Sequence, residues 1–341
     1  MSSQVEIASF SVKYPEKTRN GDFCTGEVLP DEKIAIIALS DGVGGSPCDW
    51  KASKLSVTQF LEHFKTNNLS SDIPQRIREA INEANRTLLW EEGSCKGMKS
   101  TFSLLVWEYE KRITHRVNIG DSRIFQWSEK SLTQLSEDET QAVILRKKDG
   151  KPIVLSGSVV VAEGVTNVLG HHGLSFEVVT KKAEEPEGFV LASDGFYNCM
   201  PGFLKDMEDI LDGLDLQDSM TSIAQTYSDF QKDDMTGIVI RKRPDPGNSS
   251  QILARLLSED PGETATLSQL EISEVLISAI PELLQQKEND KVQKLLKYCE
   301  THRIDLGRKN WSKFISLLTE YDNPDRVIYR DLLFKMRRSK L

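Results

Sequence analysis

The run Ile34 to Leu39 (IAIIAL) is apolar at every position and lies between the charged stretch DEK and the turn-forming SDGVGG. An unbroken, isoleucine-rich run predicts a strand buried on both faces that ends in a glycine-rich loop. Two stretches of helical period follow. Over 50–64, Trp50, Leu55, Val57, Phe60, Leu61 and Phe64 recur near helical spacing, with Asp49 placed as an N-cap. Over 72–90, Ile73, Ile77, Ala80, Ile81, Ala84 and Leu88 form one stripe behind Asp72-Ile-Pro, an order suited to a helix start. After Gly97 the pattern alternates, and 101–109, 112–119 and 122–127 predict a β-meander. Residues 137–148 read as a helix, while 150–170, rich in Gly, Val and Ser, shows no clear period. Strands are expected at 174–180, 188–193 and 236–241, with helices at 203–212 and 215–230 between the last two.

Around RKRPDPGNSS (241–250) the composition shifts to Pro, Gly, Asn and Ser, the signature of a linker. Beyond it 251–258, 267–287, 289–301, 310–320 and 324–337 all read as helices, the fourth carrying Trp311, Phe314, Leu317 and Leu318 as core. The chain therefore divides into a first domain over 1–243, a linker at 244–250 and a helical accessory region over 251–341.

Composition narrows the function. With 38% hydrophobic and 28% charged residues the chain has the make-up of a globular protein with a sizeable core. Its net charge of −9 argues against nucleic acid, which needs Lys and Arg gathered on one face, and against anionic membrane surfaces. Cys24, Cys48, Cys95, Cys199 and Cys299 are scattered and include no CxxC pair, so reduced thiols are expected in place of a disulfide framework or zinc site. No leader and no apolar run of the ~20 residues a membrane helix needs is present, so a cytoplasmic location is expected.

Four aspartates share one setting, next to a Gly or another acid at the edge of an expected strand. They are Asp41 (ALSDGVGG), Asp121 (VNIGDSRIF), Asp194 (VLASDGFYN) and Asp233 (KDDMTGIVI), with Asp22 (RNGDF) a fifth. A strand edge holds a carboxylate rigidly and a neighbouring Gly admits backbone or ligand, a setting that suits the oxygen-seeking cations Mg2+ and Mn2+. Two carboxylates ~4 Å apart repel by about 4 kcal/mol at an effective dielectric near 20, so convergence demands cations or protons. A single Asp-Gly is more often a plain turn. The residues alone reach a two-metal phosphoryl or ester hydrolase and no further.

In order, NGD at 20–22, SDGVGG at 40–45, KSTFSLLVW at 99–107, IGDSR at 119–123, VTNVLG at 165–170, LASDG at 191–195 and DDMTGIVI at 233–240 resemble the successive motifs of the PPM (type 2C) serine/threonine protein phosphatases. The resemblance covers about 10–243. It implies an α+β fold, a four-layer α-β-β-α sandwich of two packed antiparallel sheets flanked by helices, followed here by an all-helical C-terminal region. It also implies two Mn2+ or Mg2+ ions at one end of the sandwich. Asp41 would bridge them, the Gly42 carbonyl would ligate one, and Asp194 and Asp233 the other. Asp121 matches the position of a weaker third ion, Thr101 a structural hydroxyl, and VTNVLG a segment opposite the metal end.

The chain departs from that pattern at four places. Gly21 stands where a glutamate ligand is usual, leaving Asp22 as the carboxylate there. Lys17 has the spacing of the phosphate-binding arginine and Arg19 lies two further on; Arg19 is favoured for its planar fork. Val43 replaces a histidine of animal members, a bacterial-style feature, and Asn198 replaces a second carboxylate for the third ion.

The implied reaction is direct hydrolysis of phosphoserine and phosphothreonine in proteins by a water or hydroxide bridging the two ions, without a covalent phosphoenzyme. The implied partner is a phosphorylated protein, either a serine/threonine kinase or its target. For the C-terminal helices, which no family motif matches, binding a protein partner, covering part of the first domain and forming a separate helical unit stay open. The rival reading is a catalytically weak or inert phosphatase-like scaffold that binds a phosphoprotein, motivated by Gly21 and Asn198. A two-metal nuclease or phosphodiesterase ranks below both, because no histidine-rich site or basic groove is evident and His171 and His172 read as turn residues.

Overall fold

The computed structural model describes residues 5–66, 72–128, 131–144, 150–155, 158–182, 188–211, 216–242, 249–257, 269–286, 288–302 and 304. The helices expected at 310–320 and 324–337, and the linker through residue 248, lie outside them. The chain forms two compact units, one of residues 1–211 and 217–242, the other of 212–216 and 243–341.

In chain order the first elements are β1 (Val5–Val12), β2 (Asp22–Leu29), β3 (Ile34–Asp41), α1 (Asp49–Thr66), α2 (Ile73–Leu89), β4 (Phe102–Glu108) and β5 (Ile113–Ile119). Next come β6 (Arg123–Ser128), β7 (Ser131–Gln134), β8 (Thr140–Ile144), β9 (Val154–Leu155), β10 (Ser158–Val159), β11 (Val161–Val165) and β12 (Val179–Lys182). Then follow β13 (Gly188–Ala192), α3 (Asp194–Cys199), α4 (Phe203–Leu211), α5 (Leu216–Tyr227) and β14 (Met235–Lys242). Three helices close the described chain: α6 (Ser249–Leu257), α7 (Gln269–Gln285) and α8 (Asn289–His302).

Two antiparallel five-stranded sheets carry the first unit, ordered β1-β14-β13-β6-β7 and β12-β5-β4-β3-β2. The expected two-sheet sandwich flanked by helices is what forms. Alternation explains why β3 is apolar from Ile34 to Leu39. Ile34, Ile36 and Ala38 join the core beneath α1 and α2, with Phe60, Phe64, Ile77 and Ile81. Ala35, Ile37 and Leu39 face the other way, into the core between the sheets, with Trp107, Phe189, Leu191 and Ile240. On the first sheet's outer face, Phe203 of α4 packs on Phe125 and on Phe196 of α3. In the second unit α6, α7 and α8 enclose a core of their own, which includes Ile252, Leu276, Ile280, Leu295 and Cys299.

Several local expectations are corrected. The meander over 101–127 breaks after β5: β4 and β5 pair, but β6 crosses to the other sheet and pairs with β13 and β7. Residues 140–144, read as helix, form β8 and pair with β11 from Val161 to Val165, a partner that local periodicity does not reveal. The strand expected at 174–180 begins at Val179, and the short helix α3 was not anticipated. Cys48 and Cys95 form a disulfide, which overturns the reading of all five thiols as reduced; Cys24, Cys199 and Cys299 are free. Among the described residues no helix is long and apolar enough to cross a membrane.

Candidate functional site

At one rim of the sandwich the β2–β3 ladder ends on the pair Asp22 and Asp41, which face each other across the strands. The backbone fixes both. Asn20 Oδ1 accepts the Asp22 N–H at 2.9 Å, and the Gly42 N–H donates to the Gly21 carbonyl at 3.0 Å. Thr101 brackets Asp41: its Oγ1 accepts the Asp41 N–H and its own N–H donates to the Asp41 carbonyl. Only glycine fits at position 42, because a Cβ there would lie 2.3 Å from the Asp49 carbonyl oxygen at the start of α1.

From the other sheet, β13 delivers Asp194 as the first residue of α3. The turn is sealed by the Ser193 N–H, which donates to the Thr236 carbonyl at 3.0 Å. A Cβ on Gly195 would sit 1.9 Å from the Asp234 carbonyl oxygen, so the missing side chain lets α3 press against the segment holding Asp233 and Asp234. Asp234 is almost wholly buried and fully engaged. Its Oδ1 accepts the Tyr14 N–H at 2.7 Å, and its Oδ2 accepts the Gly21 N–H at 2.6 Å and Lys17 Nζ at 2.9 Å. Lys17 Nζ also donates to Asp233.

The electrostatics bind these carboxylates into one cluster. Burial pushes the Asp22 carboxyl up to about 7, against hydrogen bonds with Asp41, Thr236 and Ser193 that pull it down. Asp41 is raised well above the carboxylate range by burial and by the charges of Asp22 and Asp194. Burial and then Asp233 raise Asp194, and burial and then Asp194 push Asp121 up to about 6. Lys17 opposes them: burial works against its ammonium, but Asp233 and Asp234 outweigh it and hold its pKa above the usual lysine value.

Two buried oxygens in this cluster, Asp22 Oδ2 and Asp194 Oδ1, have no hydrogen-bond partner. A dry, unpaired carboxylate oxygen is costly unless a proton or cation meets it, and an all-oxygen donor set suits Mg2+ or Mn2+. The residues therefore fit a hard divalent cation. Among the described residues no three acidic, histidine or cysteine side chains already enclose a single point. Burial and mutual repulsion raise Asp22, Asp41 and Asp194 together, so the cluster favours protons or a cation.

Asp121 lies beyond β5, at the crossing between sheets. The Tyr197 hydroxyl donates to its carbonyl at 3.1 Å, Arg123 stacks over the Tyr197 ring at 3.8 Å, and Arg123 is forked onto Asp138. Lys17, and not Arg19, points its charge into the cluster; the Arg19 guanidinium lies over the Trp50 ring at 4.1 Å. The VTNVLG stretch was expected opposite the metal end. Leu169 instead bridges Ser100, which bridges Gly42, so this segment borders the rim. Asn198 is exposed, and His171 sits in a turn where its Nδ1 accepts the Gly173 N–H. Sequence reasoning missed the part Asp234 plays in holding Tyr14, Lys17 and Gly21. The only signal for Asp234 was its place beside Asp233.

Comparison with known proteins bears on the family and the fold. The family model described as protein phosphatase 2C matches residues 13–233. The crystal structure of the Mycobacterium tuberculosis serine/threonine phosphatase PstP/Ppp superposes with a TM-score of 0.54 at 19% identity, covering 70% of this chain and 98% of that one. Stp1 from Staphylococcus aureus gives a TM-score of 0.55 at 18% identity, covering 70% and 96%. A PstP catalytic domain solved in complex with two manganese ions gives a TM-score of 0.53 at 18% identity, covering 70% and 97%. No curated protein matches significantly. With two-thirds of its length matched by the family model and its acidic motifs gathered at one rim, the chain belongs to the protein phosphatase 2C family.

Proposed function

We propose that this protein hydrolyses phosphoserine and phosphothreonine in proteins with two Mn2+ or Mg2+ ions held at the rim where Asp22 and Asp41 pair. The single observation that carries the reading is the meeting of carboxylates from distant segments around unpaired buried oxygens. Asp41, which feels the charges of both Asp22 and Asp194, would hold the ions together with the Gly42 carbonyl. Asp194 and Asp233 would serve a second ion, Asp22 the first, and Asp121 a weaker third. The chemistry that bound ions supply is Lewis-acid charge neutralisation and a water acidified for in-line attack.

The chain's own residues do the positioning. Thr101 and Gly42 hold Asp41, Gly195 holds Asp194 against Asp233, and the Lys17 ammonium offsets negative charge at the rim, where a phosphoryl group would bring more. PstP and Stp1 are serine/threonine phosphatases by name, which supports a phosphoprotein substrate for this chain.

The test is hydrolysis of p-nitrophenyl phosphate and of a phosphothreonine peptide with Mn2+, with and without EDTA. Turnover that EDTA abolishes, and that falls by about 10²-fold or more in Asp41→Asn and Asp194→Asn, is expected. Metal-independent turnover, or none in Mn2+, sinks the reading.

A further inference from the structure

Gly21, one of the glycines at this rim, lies directly before Asp22. A Cβ built on it would lie 3.1 Å from Asp234 Oδ2 and 3.5 Å from Asp49 Oδ2. Carboxylates from the approach to β14 and from the start of α1 thus converge on one bare backbone position. Asp234 is engaged by Lys17, Tyr14 and Gly21. Asp49 differs. Its Oδ1 accepts the Trp50 N–H at 2.7 Å, and its Oδ2 turns toward the space at Gly21. Asp22, the next residue in the chain and only 6% exposed, keeps Oδ2 without a partner.

Asp49 is also held firmly. Its carbonyl packs against Gly42, the residue after Asp41. Its neighbour Cys48 is tied to Cys95, and the Cys48 carbonyl accepts the N–H groups of Lys51 and Ala52 at 2.9 and 3.0 Å. A carboxylate fixed by its own backbone can serve a metal without the ordering cost that a mobile acid carries.

We infer that Asp49 is a further carboxylate of the metal rim, lending its charge to the cation next to Asp22 from the space that a side chain at position 21 would fill. The inference rests on the reading of this rim as a divalent-cation site. The structural rival is a plain helix-start aspartate that favours the α1 dipole and touches no metal.

The test is a Mn2+ titration of the full chain read by thermal shift and by calorimetry, comparing wild type with Asp49→Asn and Asp49→Ala. Both variants are expected to need about 10- to 100-fold more Mn2+ for the half-maximal response, while the metal-free melting temperature of Asp49→Asn stays near wild type. The asparagine keeps the acceptor for the Trp50 N–H, so the comparison stands even if the alanine variant folds poorly. Gly21→Glu in the Asp49→Asn background is expected to restore the midpoint. A wild-type Mn2+ midpoint in Asp49→Asn overturns the inference, and a lower metal-free melting temperature with that unchanged midpoint would assign the rival role. A wild-type protein that does not respond to Mn2+ at all would remove the metal rim itself, a different failure.

Discussion

Thr101 closes a two-way hydrogen bond with Asp41: its Oγ1 accepts the Asp41 N–H at 2.9 Å while its own N–H donates to the Asp41 carbonyl at 2.8 Å. Thr101 is buried, so neither group has water as a substitute. Thr101→Val keeps the shape and removes the acceptor. Leaving the Asp41 N–H unpaired should cost about 1–3 kcal/mol, read as a lower urea midpoint for the first unit. Because the same bond orients Asp41, the Mn2+ needed for half-maximal phosphatase activity should rise as well. An unchanged urea midpoint would show that the hydroxyl is dispensable.

The pH dependence of the metal-free fold follows from the carboxyls held high. Asp22 is pushed up to about 7 and Asp121 to about 6, both chiefly by burial, against an ordinary carboxylate value near 4. In the unfolded chain these groups ionise first. Raised folded values therefore give stability that is fully present below about pH 4 and is lost as pH climbs to about 7. In EDTA the melting temperature should fall as pH rises from 5 to 7.5, and Asp22→Asn, a permanently neutral mimic, should flatten that slope. Mn2+ favours the ionised cluster, so the gain in melting temperature on adding it should grow over the same interval. A metal-free protein that melts higher at pH 7.5 than at pH 5, in wild type and Asp22→Asn alike, would contradict the assignment.

The positions of Lys17 and Arg19 give a sharp comparison. Lys17 reaches Asp233 and Asp234, while Arg19 is stacked on Trp50. Lys17→Met should lower kcat/KM by about 10²-fold or more and weaken inhibition by inorganic phosphate, since it removes the cation nearest the reacting rim. Arg19→Met should cost no more than about 0.5–1 kcal/mol of stability, the worth of an exposed cation–π contact, and leave phosphate inhibition nearly intact. The reverse result would return the phosphate-binding role to Arg19, the residue its guanidinium chemistry favours.

What could be read from the sequence was what repeats locally. β3 announced itself as a two-faced buried strand because Ile34–Leu39 has no polar position, and α1 and α2 because their apolar stripes keep helical spacing. Asp22, Asp41, Asp194 and Asp233 stood out because each borders a strand and three have a glycine neighbour. Partner choice left no such trace. Alternation marks β6 as a strand but is silent on which sheet it joins, and β8 exists only through pairing with β11. Cys48 and Cys95 lie 47 residues apart, and no spacing rule joins them. Asp49 looked like an ordinary helix cap because its relation to the rim depends on how closely α1 approaches Gly42.

The Cys48–Cys95 link makes the last prediction. Cys48 precedes Asp49, and its sulfur ties the start of α1 to the short turn Gly93–Cys95. Closing a loop of this length lowers the entropy of the unfolded chain by about 4 kcal/mol at 25 °C in the chain-entropy treatment. The denatured, unreduced protein should show three titratable thiols, from Cys24, Cys199 and Cys299, and five after reduction. Cys95→Ser should lower the melting temperature of the first unit and also raise the Mn2+ concentration for half-maximal activity, because α1 then holds Asp49 and Gly42 less firmly. Reductant should do the same to wild type and nothing further to Cys95→Ser. Five thiols before reduction would remove the bond. A melting temperature that falls while the Mn2+ midpoint stays fixed would confine the bond to stabilising the fold and detach it from the rim.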